Sequence, residues 1–190
     1  MREENGVTDD NDLPGIIAAL DDLNRYESEV GIIGDAGAAK VEDSQITMEQ
    51  LAVILHEGLD IRVTPKMRAF LAWKGLRLNP ATETIKIPPR PFLDRCLSKI
   101  GDIVEDDLAK AIEDIVQRGG ATKDGAATWH GIARAVVGTI QKSMVDLRDP
   151  PNHPFTIRMK GSSNPLIDHE HLLRSVVEET RAKGAVAEGV

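Results

Sequence analysis

Cysteine is nearly absent: Cys96 is the only one in 190 residues. A lone thiol excludes an internal disulfide and any multi-cysteine metal site. Aromatic residues make up only 3% of the chain, so the core must be built from aliphatic side chains and the few rings must be placed with care. No apolar run approaches the roughly 20 residues that cross a bilayer. The N-terminus lacks a signal-peptide core, and the expectation is a soluble intracellular product. At this length the chain can bury a substantial core in one domain.

Charge is present in quantity but unevenly placed. The net charge is −8, yet Arg62 to Arg95 holds eight basic residues against Glu83 and Asp94, a local balance of +6 that leaves −14 elsewhere. An acidic chain with one basic belt is a poor general nucleic-acid binder. The belt is a solvated face, or it meets DNA or an acidic neighbour.

Residues 1–12 are rich in Asp and Glu with little apolar content and read as a flexible acidic arm. Leu13, Ile16, Ile17, Leu20 and Leu23 line one helical face, with Asp12 as N-cap, Pro14 in the first turn and an end near Glu27. Val30 to Ile33 reads as a strand, with Gly34 to Gly37 as its turn. Thr47 and Gln50 form a capping box before a helix over 48–57 that stops at Gly58. Thr64-Pro65 starts a short helix, and Leu76–Leu78 with Thr84–Ile87 predicts a hairpin across Asn79-Pro80.

The stretch 84–97 is distinctive. Ile85 and Ile87 alternate with polar residues, and three prolines between Pro88 and Pro91 then end any ladder. Pro91 suits the first position of a helix carrying Leu93, Leu97, Ile100, Val104, Leu108, Ile112 and Ile115 on one stripe to about Gln117. A second helix, 128–147, follows the Gly119-Gly120 break and completes a hairpin of helices over 93–147. Arg90, Phe92 and Arg95 sit at the stiff corner. Phe92 is either a partner anchor or part of the core. Past the linker 149–154, a short segment from Phe155 and the apolar residues Leu166 to Val177 tie the chain back to the core, and 182–190 reads as a flexible tail. The organisation expected is one α+β domain over 13–181, a small antiparallel sheet against long amphipathic helices, with 61–84 as an insertion.

Chemical motifs are thin. Gly31, Gly34 and Gly37 have the wrong spacing for a phosphate loop, and no Lys-Ser/Thr follows. His56-Glu57 lacks the second histidine of a zinc protease, since position 60 is Asp60. Cys96 lies amid a helix, and no serine stands in a strand-turn-helix elbow. His169 and His171, two apart, share a face only on a strand. A metal-dependent hydrolase would require them to converge with His153.

Three stretches in order resemble the tailed-phage virion morphogenesis, or tail-completion, family. Val30 to Gly34 followed by Leu51-Ala-Val-Ile-Leu-His-Glu-Gly58 is similar to that family's strand and Ala-x-Ile-His-Glu-Phe-Gly helix. Ile87-Pro-Pro-Arg-Pro-Phe-Leu93 resembles its Ile-Pro-x-Arg-Pro-Phe-Leu signature, and Thr156 to Asp168, followed by Leu172 to Ser175, its Lys-Gly-Ser-x-x-Pro-Leu-Ile-Asp segment. His169-Glu170 stands where the family has Thr-Gly. The resemblance implies a non-enzymatic structural protein of the virion, without cofactor or metal. It would form a cyclic homo-oligomer in the neck, between the head connector and the tail proteins, with channel DNA as a contact free of sequence specificity and no membrane. Under that reading Trp73, Lys74, Arg77, Arg90, Phe92 and Arg95 are candidate interface residues, and the basic belt and acidic first helix are complementary patches. The other classes are the hydrolase through His153, His169 and His171, and a small acidic regulatory adaptor.

Overall fold

The computed structural model describes residues 12–42, 44–121, 124–167 and 170–184. The acidic arm, apart from Asp12, and positions 185–190 of the tail lie outside these residues. The fold is α+β, as expected, with two separate two-stranded antiparallel sheets among the described residues.

The body packs around one helix, α6 (Gly125–Asp146), which buries Ile132, Ala133, Val136, Ile140 and Met144. That spacing of three and four gives it one apolar face. One sheet, β1 (Tyr26–Gly31) with β4 (Val177–Ala182), lies against α6. The other long helix, α5 (Leu97–Gln117), also packs on it. Ser143 Oγ, near the end of α6, donates to Phe92 O just before α5 begins, so the two helices run antiparallel.

The first helix, α1 (Leu13–Asn24), lies across the far end of this pair. Its last turn is tied down by Trp129 Nε1 donating to Leu23 O at 2.9 Å and by Gly125 N donating to Asp22 Oδ2 at 2.8 Å. Its first turn passes so close to the α5–α6 connection that a Cβ on Gly120 would fall 2.1 Å from the Gly15 carbonyl carbon. Only glycine fits there. Asp12 occupies the N-cap position without a side-chain capping bond.

Several boundaries differ from expectation. α1 stops at Asn24 because Tyr26 already begins β1, four residues before the strand predicted at Val30. That strand is held by polar cross-strand partners, Ser28 Oγ with Thr180 Oγ1 and Arg181 with Glu27 and Glu29, which hide it from a search for apolar alternation. Gly34–Ala38 forms the short helix α2 rather than a turn. Pro91 does not open the long helix: a 3-10 turn, Asp94–Cys96, intervenes before Leu97. Ala182 closes β4, and Lys183 N donates to Arg25 O.

The capping box on α3 (Met48–Glu57) is present in both directions, and Gly58 ends the helix with φ +80°. The insertion then forms an arm: β2 (Leu59–Arg62), α4 (Pro65–Trp73) and β3 (Thr84–Ile87). β3 pairs with β2, not with Leu76–Leu78 as predicted. The reason is Arg68, whose guanidinium donates to Asn79 O and Thr82 O at 2.9 and 2.7 Å and shapes the intervening loop as a turn instead of a strand. α4 buries none of its residues, so the arm projects from the body.

Candidate interaction surface

The proline corner folds over the end of α3. A helix leaves its last carbonyls without intrahelical donors, and Arg90 N donates to two of them, Leu55 O at 2.8 Å and His56 O at 3.1 Å. That bond turns the corner inward. Phe92 is 1% exposed and meets the His56 ring edge-on at 5.4 Å, while the Cys96 thiol donates to Leu93 O. Arg90 is 4% exposed. Arg90 and Phe92, expected as interface residues, are therefore interior residues of this chain, because docking on the α3 carbonyls points both side chains into the protein.

Arg90 holds the linker. Its Nε donates to Pro150 O at 3.3 Å and its Nη2 to Asn152 Oδ1 at 3.2 Å. Asn152 Nδ2 donates to Asn164 O, Asn164 Nδ2 to Val145 O, and Lys160 Nζ, from α7 (Pro154–Lys160), to Asn164 O and Ile167 O. Arg90 has no carboxylate in ion-pair range among the described residues, and burial pushes its pKa below the ordinary arginine value. Asn152, Lys160 and Asn164 were missed from sequence, because their partners lie in segments that only the fold brings together.

The remaining candidates are at the surface. Trp73 is 76% and Phe70 54% exposed, with Lys74 Nζ 4.7 Å from the indole centroid. Arg77 and Arg95 are exposed and Lys74 is half-buried. Between the arm and the body runs a groove of about 1080 Å³, walled by Leu71, Leu76 and Ile85 of the arm, Leu51 and Leu55 of α3, and Phe155 of α7. Arg90, Lys160 and Lys86 are among its lining residues, with Glu42 its one carboxylate among the described residues, and the Lys86 ammonium lies 3.8 Å from Asp60 Oδ2.

The histidines do other work. His153 Nδ1 accepts from Phe155 N and caps α7, His130 pairs with Glu178, and His171 begins α8 (His171–Arg174). His169 lies outside the described residues. Among the described residues no three His, Cys, Asp or Glu side chains gather as a metal site. His56 Nε2 lies 3.5 Å from Asp94, while its buried Nδ1 has no hydrogen-bond partner, so a proton on Nε2 leaves only a lone pair unsatisfied. Comparison with family models, with curated proteins and with solved structures yields no match to this chain.

Proposed function

We propose that this chain is a non-enzymatic structural protein of a tailed-phage virion, assembled as a cyclic homo-oligomer in the neck between the head connector and the tail. One observation carries the reading. The stretches that resemble the family's signatures, 51–58, 87–93 and 156–167, are distant in sequence yet meet through Arg90: its backbone bonds Leu55 and His56, and its side chain leads through Asn152 to Asn164 and Lys160. Residues of a shared signature are expected to act together in this way, as a brace that fixes the corner against both neighbours. The role is one of shape, with the exposed arm and its Trp73, Lys74 and Arg77 left to meet neck partners or channel DNA.

The test is to look for the chain in purified virions by mass spectrometry and to image particles made without it. Full heads and separate, unjoined tails are the expected result. Joined particles lacking the chain would refute the reading. Catalytic turnover dependent on His153 and His171, or a monomer that acts on a regulatory target, would point to the hydrolase or the adaptor instead.

A further inference from the structure

The fold divides the cations of the basic belt into those already held and those left over. Lys86 lies against Asp60 on the neighbouring strand, Arg68 is engaged by loop carbonyls, and Arg90 is interior. Lys66 is different: it is exposed and its side chain makes no hydrogen bond or ion pair among the described residues. It precedes Phe70 by four residues and Phe70 precedes Trp73 by three, so the three share one face of α4. Both rings on that face are exposed, and Lys74 Nζ lies 5.9 and 4.7 Å from them. From the start of α4 to its end the face reads cation, ring, ring, cation.

A second unpartnered stripe runs along α1. Leu13 and Ile17 are 58% and 51% exposed. Asp21, one turn further, is exposed without an ion pair, since Arg25 pairs with Asp22 instead. Laid antiparallel, the two stripes match, because steps of three or four residues advance either helix by about 5–6 Å. Lys66 then meets Asp21, Phe70 meets Ile17 and Trp73 meets Leu13, while Lys74 comes to the Asp12 end of α1. Asp21 also falls at the N-terminus of α4, where the helix dipole favours an anion. A parallel arrangement would set the Trp73 ring on Asp21 and Lys66 on Leu13.

Within one chain the stripes stand at opposite ends. Gly125 N, at the start of α6, donates to Asp22 of α1, whereas the arm is rooted at the proline corner, where Ser143 Oγ donates to Phe92 O. Gly125 and Ser143 are separated by about 27 Å along α6 at 1.5 Å per residue. Duplex DNA would answer Lys66 and Lys74 but not the rings, because its base faces are stacked on one another. The stripe on α1 answers both.

We infer that α4 of one copy packs antiparallel on α1 of the next, with Lys66 on Asp21, Phe70 on Ile17 and Trp73 on Leu13. This contact is heterologous, so repetition closes a ring or runs on as a filament. It rests on the neck reading for its biological setting, and names the subunit contact that reading requires.

The test is sedimentation velocity of the full chain at low salt. Trp73→Ser and Ile17→Ser are each expected to self-associate about tenfold more weakly or worse, as for the loss of one anchor. Mixed together they are expected to form a complex of two chains and stop, since one intact α4 and one intact α1 remain. Lys66→Glu and Asp21→Lys are each expected to weaken association, and the two combined in one chain to restore it, which damage to folding would not do. Arg134→Glu, midway along α6, is expected to assemble normally. A parent chain that stays monomeric, variants that assemble like it, a charge-swapped chain no better than its single variants, or assembly lost with Arg134→Glu would each overturn the inference. So would a monomeric parent that binds a DNA duplex through Trp73. The neck reading fails separately, by absence of the chain from virions, whatever Trp73 and Ile17 do.

Discussion

Gly58 stands where the chain leaves α3 for the arm and is crossed by the returning strand. With φ +80°, an added Cβ would lie 2.8 Å from Ile87 O and 2.9 Å from Pro89 N, both backbone atoms that cannot step aside. Gly58→Ala is expected to lower stability by about 1–3 kcal/mol, strain and clash together, read from the shift in the urea midpoint. Phe92→Ala removes a fully buried ring and is expected to cost about 3–5 kcal/mol in the same assay. Burial also pushes the Cys96 thiol above its ordinary pKa of 9.0. Below that value both states keep the proton and stability is unaffected. Above it the unfolded chain ionises first, so stability falls as pH rises until the folded thiol ionises too. The parent should lose more stability than Cys96→Ala between pH 8 and pH 10, and equal losses would contradict this. At this scale the sequence told part of the story. The prolines marked the corner and Phe92 was open to a core reading, but the fate of Arg90 depended on carbonyls 34 and 35 positions earlier, at His56 and Leu55, and no local pattern carries that.

Among the elements, those written in short-range signals were legible. Thr47 with Gln50 and Thr64 with Pro65 start α3 and α4 as expected, because a cap is satisfied within three residues. The helix expected over 128–147 was legible too, and forms as α6, which starts three residues earlier at Gly125. On α5 it was less so: Leu97 and Ile112, read as core positions, remain exposed because partners cover only part of that helix. Pairing was the weak point. β3 was assigned to Leu76–Leu78, but an arginine in α4 occupies the loop carbonyls and leaves β2 as the available edge. Arg68→Ala is therefore expected to loosen 79–82 without unfolding the body. Limited proteolysis should then cut the arm first, leaving the fragment that contains α5 and α6 intact, whereas uniform digestion would count against the clamp.

For the whole molecule, the separation of charge seen in the sequence becomes a separation in space, with the basic arm at one end of the α5–α6 pair and acidic α1 at the other. Attraction between such ends is screened over about 8 Å at physiological ionic strength and about 3 Å at 1 M. Self-association of the parent chain is expected to weaken as salt is raised, whereas an interface of purely apolar contacts would hold or strengthen. Light scattering across a salt series distinguishes the two. The overall charge pattern was legible from sequence, but the groove was not, since its walls come from the arm, α3 and α7.

The pairing of β1 with β4 also bears on how the protein is made. Ser28 and Thr180 face each other across that sheet although 152 residues separate them. At a synthesis rate of about 5–20 residues per second, β1 waits roughly 8–30 s on the ribosome before its partner has been made. During that time its edge is open to other nascent chains, and Glu27 and Glu29 give it the charge that discourages such encounters. The carboxylates that later hold Arg181 thus guard the nascent strand until that arginine arrives.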